Sequence, residues 1–413
     1  MSLATPKTSG DVTATADDAI TDDALVDHAT WVNAASLRRL RSRLTEWFKT
    51  AARPMPWRDD PTPYHVWISE IMCQQTQVAT VIPYFHRFIN RYPDVASLAA
   101  AEEDELLRMW EGLGYYRRAR SLKKAAEQIQ ERHDGHFPTS PTDVLALPGI
   151  GRYTMGAILS ISQNQSLPIL EGNTVRVFSR WIGYRGDVKS KHGQERLWSV
   201  AQSILPRRSV RDRTRGPASI NQAAMELGAL ICTPKAPACD RCPVVKHCAA
   251  HEHGLESEIP GKVSRIEIEI RTEFALILRQ RDRLDGSDSS RILVRQIPDG
   301  QRFAGMWDVP RIGSPEANNA SAAVAWLANE LGHAPQGWCV GTRHQTIKHG
   351  VTKYRITLHV HEVMVESTST LDDAPPAPWR WMPIDELATR PINVTTRRIV
   401  KMLADEAQPL LPS

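Results

Sequence analysis

This sequence predicts a mainly helical N-terminal body joined to a C-terminal α+β domain, and three observations carry that expectation. From about Ser36 to residue 249, apolar residues recur at helical spacing, broken only by short polar stretches. Beyond that point the period changes to two, with Ile266, Ile268 and Ile270 alternating with Glu267 and Glu269. Strand patterns and helix patterns are then mixed, which marks a separate α+β domain. The length of 413 residues agrees, since it exceeds what one ordinary core supports.

The elements follow in order. Residues 1–34 hold six aspartates against the single Lys7 and little that could form a core, so a disordered tail is expected. Leu37, Leu40, Leu44, Trp47 and Phe48 open the helical body, which runs over 35–249. Val66 to Arg91 carries helical spacing throughout. Further helices are expected over Asp104–Trp110, Ala119–Arg132, Pro141–Leu147, Tyr153–Ser162 and Thr174–Trp181. Pro138, Pro141 and Pro148 fall at helix starts or in turns, where proline is tolerated. A linker over 250–263 leads to the second domain, 264–405, and a short tail over 406–413. TEFALILRQ, SRILVRQI, TKYRITLHVHEVMV and PWRWMPI read as strands, Ser321–Leu331 and Thr395–Leu403 as helices, and Arg281–Arg291 as a polar loop.

Composition narrows the function classes. Charged residues make up 24% and hydrophobic ones 41%, a globular balance. No run of eighteen apolar residues occurs, so no membrane partner is expected. The first twenty residues lack an apolar core or arginine enrichment, so neither a secretory nor a transit peptide is expected. The net charge of +4 permits nucleic acid without demanding it. Six cysteines in so long a chain do not make a disulfide framework, and an intracellular setting is expected.

Four of those cysteines form Cys232-x6-Cys239-x2-Cys242-x5-Cys248. Four thiolates this close can enclose a tetrahedral zinc or a [4Fe–4S] cluster. Zinc sites usually pair two short Cys-x2-4-Cys knuckles, and the single knuckle here favours the cluster. Lys235, Arg241, Lys246 and His247 interleave with the ligands, where a rigid loop would present them to phosphates. Cys73 and Cys339 read as lone buried thiols.

Leu147-Pro148-Gly149-Ile150-Gly151-Arg152 joins two expected helices. Gly149 and Gly151 allow a tight turn that, with the N-terminus of the next helix, makes a phosphate cradle indifferent to base sequence. This hairpin and the cysteine array are joined by PWRDDPTPYHVWISEIMCQQTQVATVIPYF, WEGLGYYRRARSLKKAA and NQAAMELGALIC. Across about 54–249 the chain thereby resembles the MutY family of adenine DNA glycosylases, in the helix–hairpin–helix superfamily. FAGMWDVPRIG and HQTIKHGVTKYRITLH are similar to the Nudix-like domain with which that family reads 8-oxoguanine. The resemblance implies two helical lobes with an iron–sulfur loop, then a Nudix-like domain. It also implies a monomer that binds double-stranded DNA in the cytoplasm or nucleoid and removes adenine opposite 8-oxoguanine or guanine. In AAVAWLANELG, where a Nudix hydrolase would place its acidic box, only Glu330 is a carboxylate, so no Mg²⁺-dependent pyrophosphatase is expected.

Cleaving a glycosidic bond to adenine needs an acid to protonate the leaving purine and an anion to stabilise the oxocarbenium sugar. Glu70 lies among apolar neighbours, Val66 to Met72, where desolvation would raise a carboxyl's pKa. It falls on the family's catalytic glutamate; a helix-surface glutamate is the plain alternative. The family's second carboxylate is an aspartate in a D-G-N turn. Here the turn reads Glu171-Gly172-Asn173, so Glu171 is expected to supply the anion with one extra methylene, and Asn173 matches the following asparagine. The departure touches helix capping as well as chemistry, because aspartate is the better N-cap.

Tyr153 stands where related endonuclease III enzymes carry a lysine that attacks the sugar. A phenol forms no Schiff base, so a monofunctional enzyme is expected. Tyr153 would orient the carboxylates, or else is a packed helix aromatic. The resemblance places Arg58 near the extruded adenine, Gln74, Gln75 and Thr76 in the duplex, and Tyr115 beside the opposing base as a wedge. A core pair formed by Tyr115 and Tyr116 is the alternative. Arg117, Arg118, Arg120, Lys123 and Lys124 make a basic helix start suited to phosphates. His349 matches the last residue of the family's Phe-Ser-His recognition loop, with Lys348 where the serine would be. Two rival functions remain at this stage: a catalytically impaired mismatch-binding protein, and a glycosylase for another mispaired base.

Overall fold

The computed structural model describes residues 24–25, 33–206, 212–261, 267–280, 291–366 and 374–407. Most of the tail expected over 1–34, the polar loop at 281–290, the end of the linker and the last residues of the chain lie outside them. Among the described residues no helix is long and apolar enough to cross a membrane.

In chain order the helices of the N-terminal part are α1 (Ala34–Ala51), α2 (Pro56–Asp59), α3 (Pro63–Cys73), α4 (Val78–Arg91), α5 (Val95–Ala99), α6 (Glu103–Met109), α7 (Arg117–His133), α8 (Pro141–Leu145), α9 (Arg152–Gln163), α10 (Gly172–Ile182), α11 (Lys191–Ser203), α12 (Pro217–Leu230) and α13 (Ala249–Glu252). The C-terminal part holds β1 (Glu269–Ile277), β2 (Arg279–Gln280), β3 (Arg291–Gln296), β4 (Trp307–Asp308), β5 (Arg311–Gly313), α14 (Ala320–Glu330), β6 (Trp338–Val351), β7 (Tyr354–Val365), β8 (Trp379–Pro383), α15 (Ile384–Thr389) and α16 (Val394–Ala407). The helical body and the α+β second part are as the sequence predicts.

Two compact units divide the chain: Met1–Ala52 with Leu170–Val263, and Arg53–Ile169 with Ser264–Ser413. In the first, α1 packs on α12 and α12 on α10, and Leu40, Leu44, Val177, Phe178, Trp181, Leu197 and Leu227 form the core. Cys232, Cys242 and Cys248 pack against that core, so the cysteine loop closes over it.

The second unit has a helical part and a sheet part. Its helical part packs α3 against α9, and every residue from Val66 to Met72 is buried. Thr62 caps α3 by accepting from the His65 amide at 3.1 Å, with Pro63 as the first helical residue. Its sheet part has one four-stranded sheet in the order β5-β1-β7-β6, in which only β1 and β7 pair in parallel. A second sheet joins β2, β3 and β4, with β8 against β3. Phe274, Leu276 and Leu293 face α14, while Ala275, Ile277 and Ile292 face α15 and α16, so the second half of β1 and the middle of β3 are buried on both sides.

The structure departs from the sequence reading in several places. The helix expected over Val66–Arg91 is two helices, broken at Gln74–Gln77, where Gln75 takes a left-handed φ of 58°. Strand β6 was not predicted, because Gly341 and irregular pairing between Val340 and Gln345 interrupt its alternation. Cys339, expected to be buried, is exposed on that strand.

Candidate active site and cysteine centre

Glu70 sits on the fourth-last position of α3 and is only 9% exposed. Helix α9 brings Tyr153 over it, and the phenol donates to Glu70 Oε2 at 2.6 Å. Glu70 is therefore not a surface glutamate, and the Tyr153 hydroxyl is engaged rather than simply packed. The hydrogen bond fixes the direction of a carboxyl that the apolar helix removes from water.

The hairpin between α8 and α9 is as expected, with Leu147 and Ile150 buried as anchors and Gly149 and Gly151 outward. Gly149 has a φ of 79°, and a Cβ there would meet the Ser121 Cβ at 2.7 Å. Gly151 has neither constraint: its φ is −101° and a Cβ would point into open space. What glycine provides at 151 is a bare backbone at the mouth of α9, where a phosphate can approach.

The two segments expected to read DNA are held by one side chain. Arg118 Nη1 donates to the carbonyls of Ile71 (2.6 Å), Met72 (3.1 Å) and Gln74 (2.7 Å). Its Nη2 donates to those of Leu113 (2.9 Å) and Gly114 (3.0 Å) and to Thr76 Oγ1 (3.4 Å). Gln75 and Tyr115, one in each segment, are both exposed and both take positive φ, 58° and 48°. Left-handed backbone at such residues costs about 1–2 kcal/mol each and persists only where neighbours enforce it. Tyr115 is 47% exposed while Tyr116 is buried, so the two are not a core pair.

Arg118 thus corrects the expectation of a basic helix face. Burial lowers its pKa to about 10, and its donors face protein carbonyls. Arg120 pairs with Glu103 at 2.6 Å and donates to the Ala304 carbonyl, and Lys123 pairs with Glu127. Of the five, Arg117 and Lys124 remain exposed. Arg58, in the one-turn α2, is partly buried and donates to the Arg53 carbonyl at 2.8 Å.

In the other unit, Glu171 caps α10. Its Oε1 accepts from the Thr174 amide at 3.0 Å and its Oε2 from the Asn173 amide at 2.9 Å, while Thr174 Oγ1 accepts from the Glu171 amide at 2.8 Å. The extra methylene folds back, so a capping box forms despite glutamate's weak preference for this position. The helix start is intact, contrary to the disturbance expected. Burial pushes the Glu171 carboxyl up, against the lowering effect of the two amides, Arg176 and the Asn173 side chain.

Arg176 donates to Asn173 Oδ1 (2.9 Å), the Gly228 carbonyl (2.7 Å) and the Cys232 carbonyl (2.6 Å). One turn on, the buried Arg180 donates to Cys232 Sγ (3.2 Å) and to the carbonyls of Thr233 (2.8 Å) and Ile259 (2.8 Å). Two arginines on one face of α10 therefore tie the Glu171 cap to the cysteine loop.

Cys232, Cys239, Cys242 and Cys248 are unbridged and line one cavity with Arg180, Trp181, Leu227 and Ile231. Burial raises the thiol pKa to about 11 at Cys242 and about 12 at Cys248. Four thiols gathered in an apolar pocket, with the Arg180 guanidinium on one sulfur, suit a metal centre that takes them as thiolates. His251 and Glu256 approach Cys239 as further candidate donors. His247, expected to face phosphate, is partly buried and shares a hydrogen bond with Ser36 at 3.1 Å, whereas Lys235, Arg241 and Lys246 are exposed.

Lys348 and His349 lie in strand β6, not in a loop, opposite Thr357 and Ile356 on β7. Ile347 is a core residue, 3% exposed. Lys348 is exposed, and His349 is partly buried, where desolvation and then Arg311 disfavour its charged form.

Residues 68–203 match the HhH-GPD superfamily of base excision DNA repair proteins, and residues 286–402 match the NUDIX domain. An adenine DNA glycosylase of Mus musculus is 32% identical over 91% of this chain and 80% of its own length. The chain belongs to the adenine DNA glycosylase family. A second family member, from Buchnera aphidicola (strain Sg), is 42% identical over 57% of this chain and 67% of its own. A solved thermostable thymine-DNA glycosylase aligns with 53% of this chain and 98% of its own at 25% identity, TM-score 0.47. The sequence marks Glu70, Glu171 and the four cysteines as candidates. It gives Arg118 the wrong role, as part of a phosphate-facing helix, and it misses Arg176 and Arg180, whose i,i+4 spacing nevertheless marks a shared helix face.

Proposed function

We propose that this chain is a monofunctional adenine DNA glycosylase that hydrolyses the N-glycosidic bond of adenine opposite 8-oxoguanine or guanine, acting as a monomer on double-stranded DNA inside the cell. The observation that carries the reading is the buried Glu70 carboxyl held by the Tyr153 phenol at 2.6 Å. With the adenine turned out of the duplex, Glu70 gives its proton to the purine and the C1′–N9 bond breaks with both electrons leaving on the base. The Glu171 carboxylate stabilises the positive sugar, oriented by Asn173, until water adds at C1′. Gln74, Gln75, Thr76 and Tyr115 enter the duplex, Arg58 lies near the extruded base, the backbone at Gly149 and Gly151 cradles a phosphate, and Lys348 and His349 meet the opposing base.

The cysteine array fits a [4Fe–4S] cluster held by Cys232, Cys239, Cys242 and Cys248. Such a cluster supplies a fixed loop, from which Lys235, Arg241 and Lys246 project, and an anchor for α10 through Arg176 and Arg180. Anaerobically purified protein should hold about four iron atoms per chain and absorb broadly in the visible. Colourless protein with stoichiometric zinc would refute the assignment.

The activity is tested by single-turnover cleavage of duplexes carrying adenine opposite 8-oxoguanine, guanine or cytosine, each assayed with and without alkali. Strand breaks should appear only after alkali, and fastest opposite 8-oxoguanine. Borohydride should trap little covalent complex, because Tyr153 replaces the lysine of a lyase. Breaks without alkali, with trapping at the level of a true lyase, would refute the monofunctional reading.

A further inference from the structure

The turn that carries Tyr115 is gripped by the sheet part of its own compact unit. Glu111 begins the turn, and Arg397 of α16 reaches its carboxylate with two parallel bonds, Nε to Oε1 at 2.8 Å and Nη2 to Oε2 at 2.6 Å. Both side chains are largely shielded from solvent, 33% and 20% exposed, so the fork is screened less than a surface pair. The Arg397 guanidinium is itself held by the carbonyls of Ala388 and Arg390. The Glu111 carbonyl accepts from the Tyr84 hydroxyl at 2.6 Å, and the φ of 99° at Gly112 favours glycine, where a Cβ would also displace that hydroxyl, 2.2 Å away. At the far end of the turn the buried Tyr116 ring meets Phe303 edge to face, with centroids 6.3 Å apart, and Arg120 donates to the Ala304 carbonyl.

Between these holds the backbone runs through positive φ at Gly112 (99°), Gly114 (69°) and Tyr115 (48°). A tyrosine kept left-handed and half exposed needs neighbours that forbid relaxation. Arg118 supplies one such restraint from the helical side; Arg397 and Phe303 supply the other from the sheet side. We propose that Arg397, acting through Glu111, is a positioning residue that holds the Tyr115 ring ready for insertion into DNA, so that the C-terminal domain aids recognition by shaping a turn it does not itself carry. This rests on Tyr115 being the inserted ring.

The test is a double-mutant cycle on the full-length protein. Affinity is measured for a duplex with a non-cleavable adenine analogue opposite 8-oxoguanine and for an undamaged duplex, with 2-aminopurine beside the lesion reporting unstacking. Arg397→Met keeps the aliphatic stem and removes the fork, and Glu111→Gln keeps the shape and removes the charge. Each should weaken lesion binding about tenfold, leave undamaged binding within about twofold, and reduce the fluorescence gain. In a Tyr115→Ala background the same changes should add less than about twofold. Combining Arg397→Glu with Glu111→Arg should recover part of the loss. Full additivity with Tyr115→Ala, or no loss from either single change, overturns the proposal while leaving the role of Tyr115 intact. If Tyr115→Ala itself changes neither affinity nor fluorescence, the inserted-ring reading fails and the proposal falls with it.

Discussion

Glu70→Gln should slow single-turnover release of adenine by about 10³-fold or more while leaving DNA binding within about threefold. The amide oxygen can still accept from the Tyr153 phenol, so α3 and α9 keep their contact and the fold is spared. What disappears is the transferable proton, and adenine must then leave as an anion. A loss of 10³-fold is about 4 kcal/mol of barrier, within the range of a positioned general acid. Tyr153→Phe removes only the hydroxyl that aims the carboxyl, so it should slow cleavage by about tenfold. Retention of more than about a tenth of the wild-type rate by Glu70→Gln would show that the purine receives its proton elsewhere.

Glu171→Gln should slow cleavage by about 100-fold or more, about 2.7 kcal/mol, again with binding preserved. The amide matches the size of the carboxyl and offers one oxygen to cap α10, but it lacks the charge that answers the oxocarbenium ion. Glu171→Asp should be only modestly slowed, because an aspartate caps the same amides and the site around Glu171 accommodates the longer side chain folded back. Cleavage by Glu171→Gln within about threefold of wild type, a barrier change of about 0.65 kcal/mol, would end the role assigned here. Acidity provides a second reading of the same group. Its folded pKa lies above the ordinary glutamate value of about 4.3, so the active anion is lost at a higher pH than usual as acid is added. The sign for stability is the opposite. Relative to Glu171→Gln, the wild type is best placed below that ordinary value and loses ground as pH rises through the raised one. Melting temperatures of the two proteins across that window should diverge in that direction.

The parts of the molecule that announce themselves in sequence are those whose chemistry is local. Four cysteines at fixed spacing, a Leu-Pro-Gly-Ile-Gly turn and an apolar run around Glu70 carry their meaning within a few residues. What stayed hidden depends on contacts distant in the chain. Arg118 looks like its neighbours Arg117 and Arg120 until carbonyls from residues 71–74 and 113–114 converge on it. The break at Gln74–Gln77 has neither glycine nor proline, so nothing local signals the left-handed Gln75. The resemblance puts Ile347, two before His349, at the start of a base-reading loop, whereas pairing with Leu358 in β6 makes it core. Glu171 looked like a poor cap because preference scales average over side chains that do not fold back.

A repair enzyme meets on the order of 10⁶–10⁹ ordinary sites in a genome, so dwell time on intact DNA limits its search. Arg118 bears on that limit. Its guanidinium joins the Gln74–Thr76 segment to the Tyr115 turn, and neither can shift without disturbing bonds that hold the other. Segments on separate hinges would let the protein linger half-engaged on an undamaged pair, with one strand gripped and the other not. If both enter the duplex as proposed, coupling through one planar group makes them enter together or not at all. Interrogation would then be a single yes-or-no trial with quick release of intact pairs, at the cost of routing both segments through one side chain.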